Sequence, residues 1–575
     1  MNPRSDFARL KLFAAFSGIW LGFAVIYLSL RTNQYTDVDG ALRCLTIYWR
    51  RPPYVGPNNH LLYPANVYAW ARLLKALGFG WSGPESFIRS VQAMNAIFAA
   101  GAVALVYLLI RRLTGAGLIA IVCTLIYGTS RAVLIHATNS AEPVVGLFVS
   151  LVAAALAIEG LVRAKLSLLV FSGAGLALAL ANYESMFLIA PLIFVLSLIW
   201  PERSETRGEI NFDEFRIPGR FNDFARRSIR GFAIGAGILA GVAIIYGSAY
   251  RRIGLTATGQ MLRRFTQMGG SPKVYGGFSL SKAVNFIVGL TGNLVAVLPP
   301  DYQGLRRLLP QDGNPTRIIL MTSVGVIIFA IAVAGSLQLV PRRGRPGPSR
   351  SALTLLVVAF SCVFLPVFYW DPIYDKLWLQ PLALATIVAG LASSRANGAS
   401  VRIFALLAGA LLIFEIIVNI PLILRGHARK TECLDDARAV AGIVRPGDKV
   451  IADFDPVSTL WAGLYNENPS RVLVFPAVRP SESISTVARW EMRCAIAGCR
   501  LLFINLLDQT EQGWQAFLGS RVGVPYQALS NYRGDSKTLL QFTCEQGSLR
   551  EFLPKSSGRT SSPVNKSPAR ALVNK

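Results

Sequence analysis

RTNQYTDVDGALRCLTIYWRRPPYVGPNNHLLY, residues 31–63, is the stretch on which the reading of this chain turns. It follows a single apolar run, residues 13–30, and carries Asp37, Asp39 and His60. Most of the chain from residue 90 to residue 424 is compatible with hydrocarbon, and a first polar loop in such a chain needs no acids for packing. Carboxylates gathered there point to chemistry at a membrane surface.

Composition agrees with that setting. Of 575 residues, 53% are hydrophobic and 16% charged, more apolar and less charged than a soluble enzyme. The formal charge of +26 does not indicate nucleic-acid binding, because most of the Lys and Arg residues flank apolar runs instead of lying on a polar domain. They read as topology signals and as anchors for membrane lipids, each worth about 1 kcal/mol near an anionic leaflet.

Arg4, Arg9 and Lys11 predict a cytoplasmic N-terminus. No A-x-A-like site follows the first apolar run, so it reads as an uncleaved span and not a secretory signal. Further spans are expected at 90–110, 118–135, 144–161, 166–181, 186–200, 231–250, 318–340, 352–369, 379–391 and 403–424, with basic patches on nearly every inner turn. That makes about eleven spans, with external loops at 31–89 and 251–317. The second loop holds a short apolar stretch, 286–298, expected to be interfacial or re-entrant. The fold class expected is a polytopic α-helical membrane protein with a small extracytoplasmic α/β domain at its C-terminal end.

That domain is expected over residues 428–553, after a membrane domain at 1–427. KVIADF (449–454), RVLVFPA (471–477) and RLLFINLL (500–507) read as strands, alternating with helical stretches around Trp461, Trp490 and Trp514. No G-x-G-x-x-G follows a strand, which argues against a dinucleotide site. Asp453 and Asp455 end the first strand in a pattern like an aspartyl phosphatase signature, and acids at strand ends are also common without function. Cys433, Cys494, Cys499 and Cys544 allow three pairings, or four reduced thiols, and a Cys494–Cys499 bridge fits the turn between them. No Cys or His spacing supports a structural zinc. Residues 554–575 are basic and rich in Ser and Pro, the composition of a disordered tail.

Several segments together resemble the GT-C superfamily of membrane glycosyltransferases, which includes protein O-mannosyltransferases and lipid A aminoarabinose transferase. They are YTDVDGALRCLTIYW (35–49), NNHLLYPANVYAWARLLKALG (58–78) and PESFIRSVQAMNAIFAAGAVALVYLLIRRLTG (84–115). HATNSAEPVVGLF (136–148) and GAGLALALANYESMFLIAPL (173–192) are similar to the family's second external loop and following helix pair. YDKLWLQPLALA (374–385) resembles its late lipid-carrier segment. The resemblance implies that Asp39 is the first-loop acid, Glu142 the second-loop acid, and Arg89 the Arg opening the second span. Gly40 stands where the family often has a second acid, and Tyr183 and Glu184 where many relatives have Lys.

The implied reaction makes chemical sense of these residues. A sugar on a polyprenyl-phosphate donor has an anionic leaving group, so transfer needs a base for the acceptor proton and charge for the departing phosphate. Asp39 is expected as base. Asp37, with Asp39 or Glu142, is placed to hold a divalent cation, Mg or Mn, since hard cations prefer carboxylate oxygens. His60, Arg89, Glu142, Glu184 and Lys376 are expected to bind donor or phosphate. A single base and no paired nucleophile favour inversion. The acceptor class, whether glycan, lipid or protein, is open.

Each residue also has a plainer reading. Asp37 and Asp39 can be solvated, His60 can pack a helix, Glu142 can favour a helix N-terminus, and Lys376 can anchor a span. The alternative function is a transporter or lipid flippase. It predicts ionisable groups near the midplane and internal repeats. The spans are nearly free of charge, Glu159 and Glu415 lie within or near span ends, and no repeat is evident.

Overall fold

The structure is a computed structural model. It describes residues 3–31, 40, 44–45, 47–49, 60–201, 221–252, 254, 257, 259–261, 280–295, 327, 350–369, 375–394, 399–428, 432–452, 456–466, 472–474, 494, 498–505, 536–543 and 548–552. The chain forms two compact units, Met1–Arg429 and Lys430–Lys575.

The first unit is helical. Its elements are α1 (Pro3–Ser29), α2 (Tyr63–Ala76), α3 (Pro84–Thr114), α4 (Gly117–Thr129), α5 (Arg131–Ala137), α6 (Pro143–Val162) and α7 (Leu166–Asn182). A 3-10 turn (Glu184–Phe187) leads to α8 (Ala190–Ile199), α9 (Phe221–Arg252), α10 (Leu280–Leu294) and α11 (Arg350–Tyr369). A second 3-10 turn (Asp375–Trp378) opens α12 (Leu379–Ser394), and α13 (Ala399–Ala428) follows. Proline sets the first turns of α2, α3 and α6, where its missing N–H has no helical partner to lose. The C-terminus of α3 carries Arg111 and Arg112 and stops at Gly115, whose φ of 70° is the left-handed cap that glycine adopts without strain.

Side chains that reach backbone carbonyls tie the helices together. Trp20 donates to the Ile97 carbonyl (3.0 Å), Tyr27 to Gly128 (2.7 Å) and Tyr127 to Leu379 (3.2 Å). The α7–α9 contact is closer still. A Cβ on Gly237 would stand 2.1 Å from the Val170 carbonyl oxygen, and one on Gly173 would stand 2.1 Å from that of Ile234. Small residues let these backbones touch, which is how helices associate where lipid removes the hydrophobic driving force.

Six helices are long and apolar enough to cross a membrane among the described residues, or seven if α4 and α5, bent by 63° at Ser130, count as one span. The expected eleven is therefore too many by this measure, for local reasons. The segment read at 166–181 is a 17-residue helix, and 186–200 is divided between the 3-10 turn and the ten-residue α8. The segment at 352–369 is helical, and its stretch Phe360–Tyr369 counts among the shorter apolar helices. The segment at 318–340 lies outside the described residues except for Ile327. The stretch expected to be interfacial is the 15-residue α10.

Glu415 lies inside the 402–424 span, not near its end, and is fully buried; the Thr129 hydroxyl donates to it (2.7 Å). One turn on, Asn419 donates to the carbonyls of Thr129 and Leu294, both at 2.8 Å. The bond from Asn419 to Thr129 serves a carbonyl freed where α4 breaks into α5. Glu159 is paired with Arg112 (2.8 Å) and Arg163 (2.7 Å) at the end of α6.

The second unit contains α14 (Glu432–Ile443), β1 (Lys449–Ala452), α15 (Pro456–Leu464), β2 (Val472–Val474), β3 (Leu501–Asn505), β4 (Ser536–Gln541) and β5 (Ser548–Phe552). They make one mixed sheet of order β2-β1-β3-β5-β4. β1 pairs in parallel with both β2 and β3, with Val450 opposite Val472 and Leu502. β5 is antiparallel to β3 and to β4. The three strands read from the sequence contain β1, β2 and β3. β4 and β5 are additional to them, because SKTLLQ and SLREF are too polar to resemble buried strands. Asp448 and Arg500 pair at 2.6 Å where β1 and β3 begin, and Cys494 and Cys499 form the expected disulfide. Asp453, Asp455, Trp490, Trp514, Cys544 and the tail at 554–575 lie outside the described residues.

The α7–α9 contact yields a direct test. Gly237→Ala should lower the thermal midpoint in detergent, by about 1–3 kcal/mol of overpacking. Gly247→Ala on the same helix meets nothing within 4 Å and should leave the midpoint unchanged.

Candidate functional site

The link between α5 and α6 is where the predicted residues begin to meet. Asn95 on α3 donates through one amide nitrogen to the carbonyls of Asn139 (2.9 Å) and Ala141 (2.7 Å). Tyr63, at the start of α2, donates to the Ser140 carbonyl (2.7 Å). The Leu62 amide donates to the Ala181 carbonyl (2.9 Å), and Asn66 hydrogen-bonds Asn182, so the start of α2 is fixed to the end of α7. Two helices, α2 and α3, thus hold one short link, and it ends on Glu142.

Glu142 caps α6 immediately before Pro143, and it is fully buried. A lone carboxylate there would cost several kcal/mol, so its neighbours decide whether the arrangement is tenable. His60 Nε2 lies 3.4 Å from Glu142 Oε2 and Lys376 Nζ lies 3.9 Å from the same oxygen. Both distances exceed the 2.7–2.9 Å of a tight charge-assisted bond, so the attraction is chiefly electrostatic. The His60 ring stacks on Tyr183 with centroids 4.8 Å apart. Lys376 is held by its turn, which Gln380 secures by donating to the Met186 carbonyl (2.8 Å).

A second ionic group adjoins the first through the same two segments. His136 Nε2 stands 3.3 Å from Asp375 Oδ1, the residue before Lys376. Arg131, on the same short helix as His136, bears electrostatically on Asp375, and its guanidinium donates to the Gly292 carbonyl (3.3 Å). His136, Arg131 and Asp375 are not among the site residues expected from the sequence. The signals that point to them are that two of the chain's three His residues fall in the family-like segments, and that Asp375 directly precedes Lys376 in YDKLW.

The structure therefore brings His60, Glu142 and Lys376 together. Glu184 is half-buried one residue after Tyr183, and burial pushes its carboxyl up to about 7. Arg89 is exposed on the first turns of α3, where Arg31 donates to its carbonyl (3.3 Å). Asp37 and Asp39 lie outside the described residues. No cluster of three or more His, Cys, Asp or Glu suited to a metal occurs among the described residues. Around Glu142 the positive charge is supplied by an ammonium group, a donor set unsuited to holding a cation.

The structure of ArnT from Cupriavidus metallidurans bound to undecaprenyl phosphate aligns with a TM-score of 0.56 at 10% identity, covering 94% of this chain and 98% of that one. The apo oligosaccharyltransferase of Archaeoglobus fulgidus aligns at 13% identity over 91% of this chain and 73% of that one, with a TM-score of 0.49. This chain shares the fold of that ArnT structure. No protein-family model matches the sequence, and no curated protein matches it.

The raised Glu184 carboxyl has a consequence for stability. Its folded value of about 7 lies above the ordinary 4.5, so the stability it favours is full below pH 4.5 and is lost as pH rises through about 7. Melting curves across that window should show a falling midpoint in the wild type. In Glu184→Gln that part of the fall should disappear.

Proposed function

We propose that this protein transfers a sugar from a polyprenyl-phosphate donor to an acceptor hydroxyl on the extracytoplasmic side of the membrane. The observation that carries the reading is the buried Glu142 carboxylate flanked by His60 and Lys376 in a chain that shares the fold of ArnT. The structure of ArnT that shares this fold holds undecaprenyl phosphate, a ligand of the proposed leaving-group class.

In this reaction Asp39 takes the proton of the acceptor hydroxyl. The acceptor oxygen bonds to the anomeric carbon as the carbon–oxygen bond to phosphate breaks, and polyprenyl phosphate leaves with the electron pair. Attack opposite the leaving group inverts the anomeric centre. Lys376 and His60 set positive charge at the phosphate, and Glu142 fixes both in place without hydrogen-bonding either tightly. Arg89 and Glu184 line the approach of the donor. A divalent cation on Asp37 and Asp39 would add charge on the phosphate.

Purified protein given a labelled polyprenyl-phosphate sugar should release polyprenyl phosphate. Asp39→Asn keeps size and a hydrogen-bonding oxygen but removes the base, so turnover should fall by about 10² to 10⁴ with normal membrane insertion. Asp37→Asn should mainly weaken donor or metal affinity. Turnover in Asp39→Asn close to wild type, with Glu142→Gln inactive, would overturn the base assignment.

A further inference from the structure

Asp375 and Lys376 are consecutive on one 3-10 turn, yet they face different partners: Lys376 lies 3.9 Å from Glu142, and Asp375 lies 3.3 Å from His136. His136, in the last turn of α5, and Glu142, directly before α6, in turn flank the α5–α6 link. Two short segments are therefore joined at two points, once by each member of the consecutive pair. His136 is 3% exposed and Lys376 6%, whereas the Asp375 side chain is 26% exposed. The turn packs against α5, α10 and α12, with the Trp378 ring 5.0 Å from that of Phe286. From α5 the charged groups bearing on Asp375 are His136 and Arg131; within its own turn it is Lys376.

We propose that Asp375 is a positioning residue for the transfer reaction: by pairing with His136 it pins the turn to α5 and thereby fixes the Lys376 ammonium beside Glu142. The inference rests on the reaction proposed above. Lys376 stands on a long, flexible stem, and an ammonium on such a stem is a point charge whose placement depends on its backbone anchor. A 3-10 turn is short and has poorer hydrogen-bond geometry than an α-helix, so it does not supply that anchor alone. Asp375 supplies it from the adjacent position, without touching the substrate. The Arg131 charge bears on the same carboxylate, and its guanidinium donates to the Gly292 carbonyl near the end of α10.

The test is a double-mutant cycle read in steady-state kinetics and in binding of polyprenyl phosphate to the full chain in nanodiscs. Asp375→Asn should reduce kcat/KM by about 10²-fold, the scale of a misplacement near 1 Å, and weaken binding of polyprenyl phosphate in parallel. Because it acts through Lys376, the Asp375→Asn and Lys376→Met double variant should be no worse than Lys376→Met alone. Asp375→Glu should recover most of the loss. His136→Asn leaves Asp375 with Arg131, so it should give a smaller loss that also vanishes in the Lys376→Met background; this variant decides the matter if Asp375→Asn does not fold. Additive losses, or an Asp375→Asn protein with wild-type kinetics and binding, would overturn the inference while leaving the transferase reading intact. A wild-type protein that neither binds polyprenyl phosphate nor turns over would overturn both.

Discussion

A carboxylate buried at the start of α6 is the constraint on which the arrangement depends. Glu142 has no solvent access, so the fold must supply positive charge or suffer a desolvation penalty of several kcal/mol. Lys376 before α12 supplies that charge, and His60 before α2, distant in the sequence, stands beside the same carboxylate. The N-terminus of α6 adds its own favourable potential for an anion. Removing Lys376 would take the ammonium from beside this buried carboxylate, which ties the turn before α12 to the start of α6.

That demand explains where the polar side chains of the first unit are used. Asn95, Tyr63 and Gln380 each hydrogen-bond to a carbonyl in a non-helical segment or 3-10 turn, and each such segment borders Glu142 or packs beside the Lys376 turn. The same logic operates away from the site at the break between α4 and α5, where Glu415 and Asn419 reach Thr129. The break orients α5, and α5 carries Arg131 and His136. A buried acid in mid-span has a local structural partner here, which distinguishes it from the chains of midplane acids expected of a proton-coupled transporter.

Much of this is legible in the sequence. Motif resemblance points to Glu142, His60 and Lys376 at three separate places, and the structure brings His60 and Lys376 each within 4 Å of the shared Glu142 carboxylate. Arg89 is less telling, because position at a helix start says nothing about which face the side chain takes; it is exposed. Span counting fails where apolar composition continues through a change of backbone conformation, as at Glu184–Phe187 and Ser130. Hydropathy reports environment and not helix continuity. The Asp375–His136 pairing is hidden in the sequence because its members are 239 positions apart by their numbering, so the signals that mark each residue do not join them. In the second unit, β4 and β5 escape a sequence reading because a short antiparallel hairpin that keeps polar residues lacks the continuous apolar run of β1 and β3.

The central claim is that the donor phosphate lies against the segments carrying His60, Glu142 and Lys376. A photoreactive polyprenyl-phosphate analogue, with the reactive group near the phosphate, would map this contact in nanodiscs by mass spectrometry of the cross-linked peptides. The account predicts labelling in residues 136–142 and 375–378, reduced by excess unlabelled polyprenyl phosphate and by Lys376→Met. Competable labelling confined to the lipid-facing surface of α13, with those two segments unmodified, would contradict it.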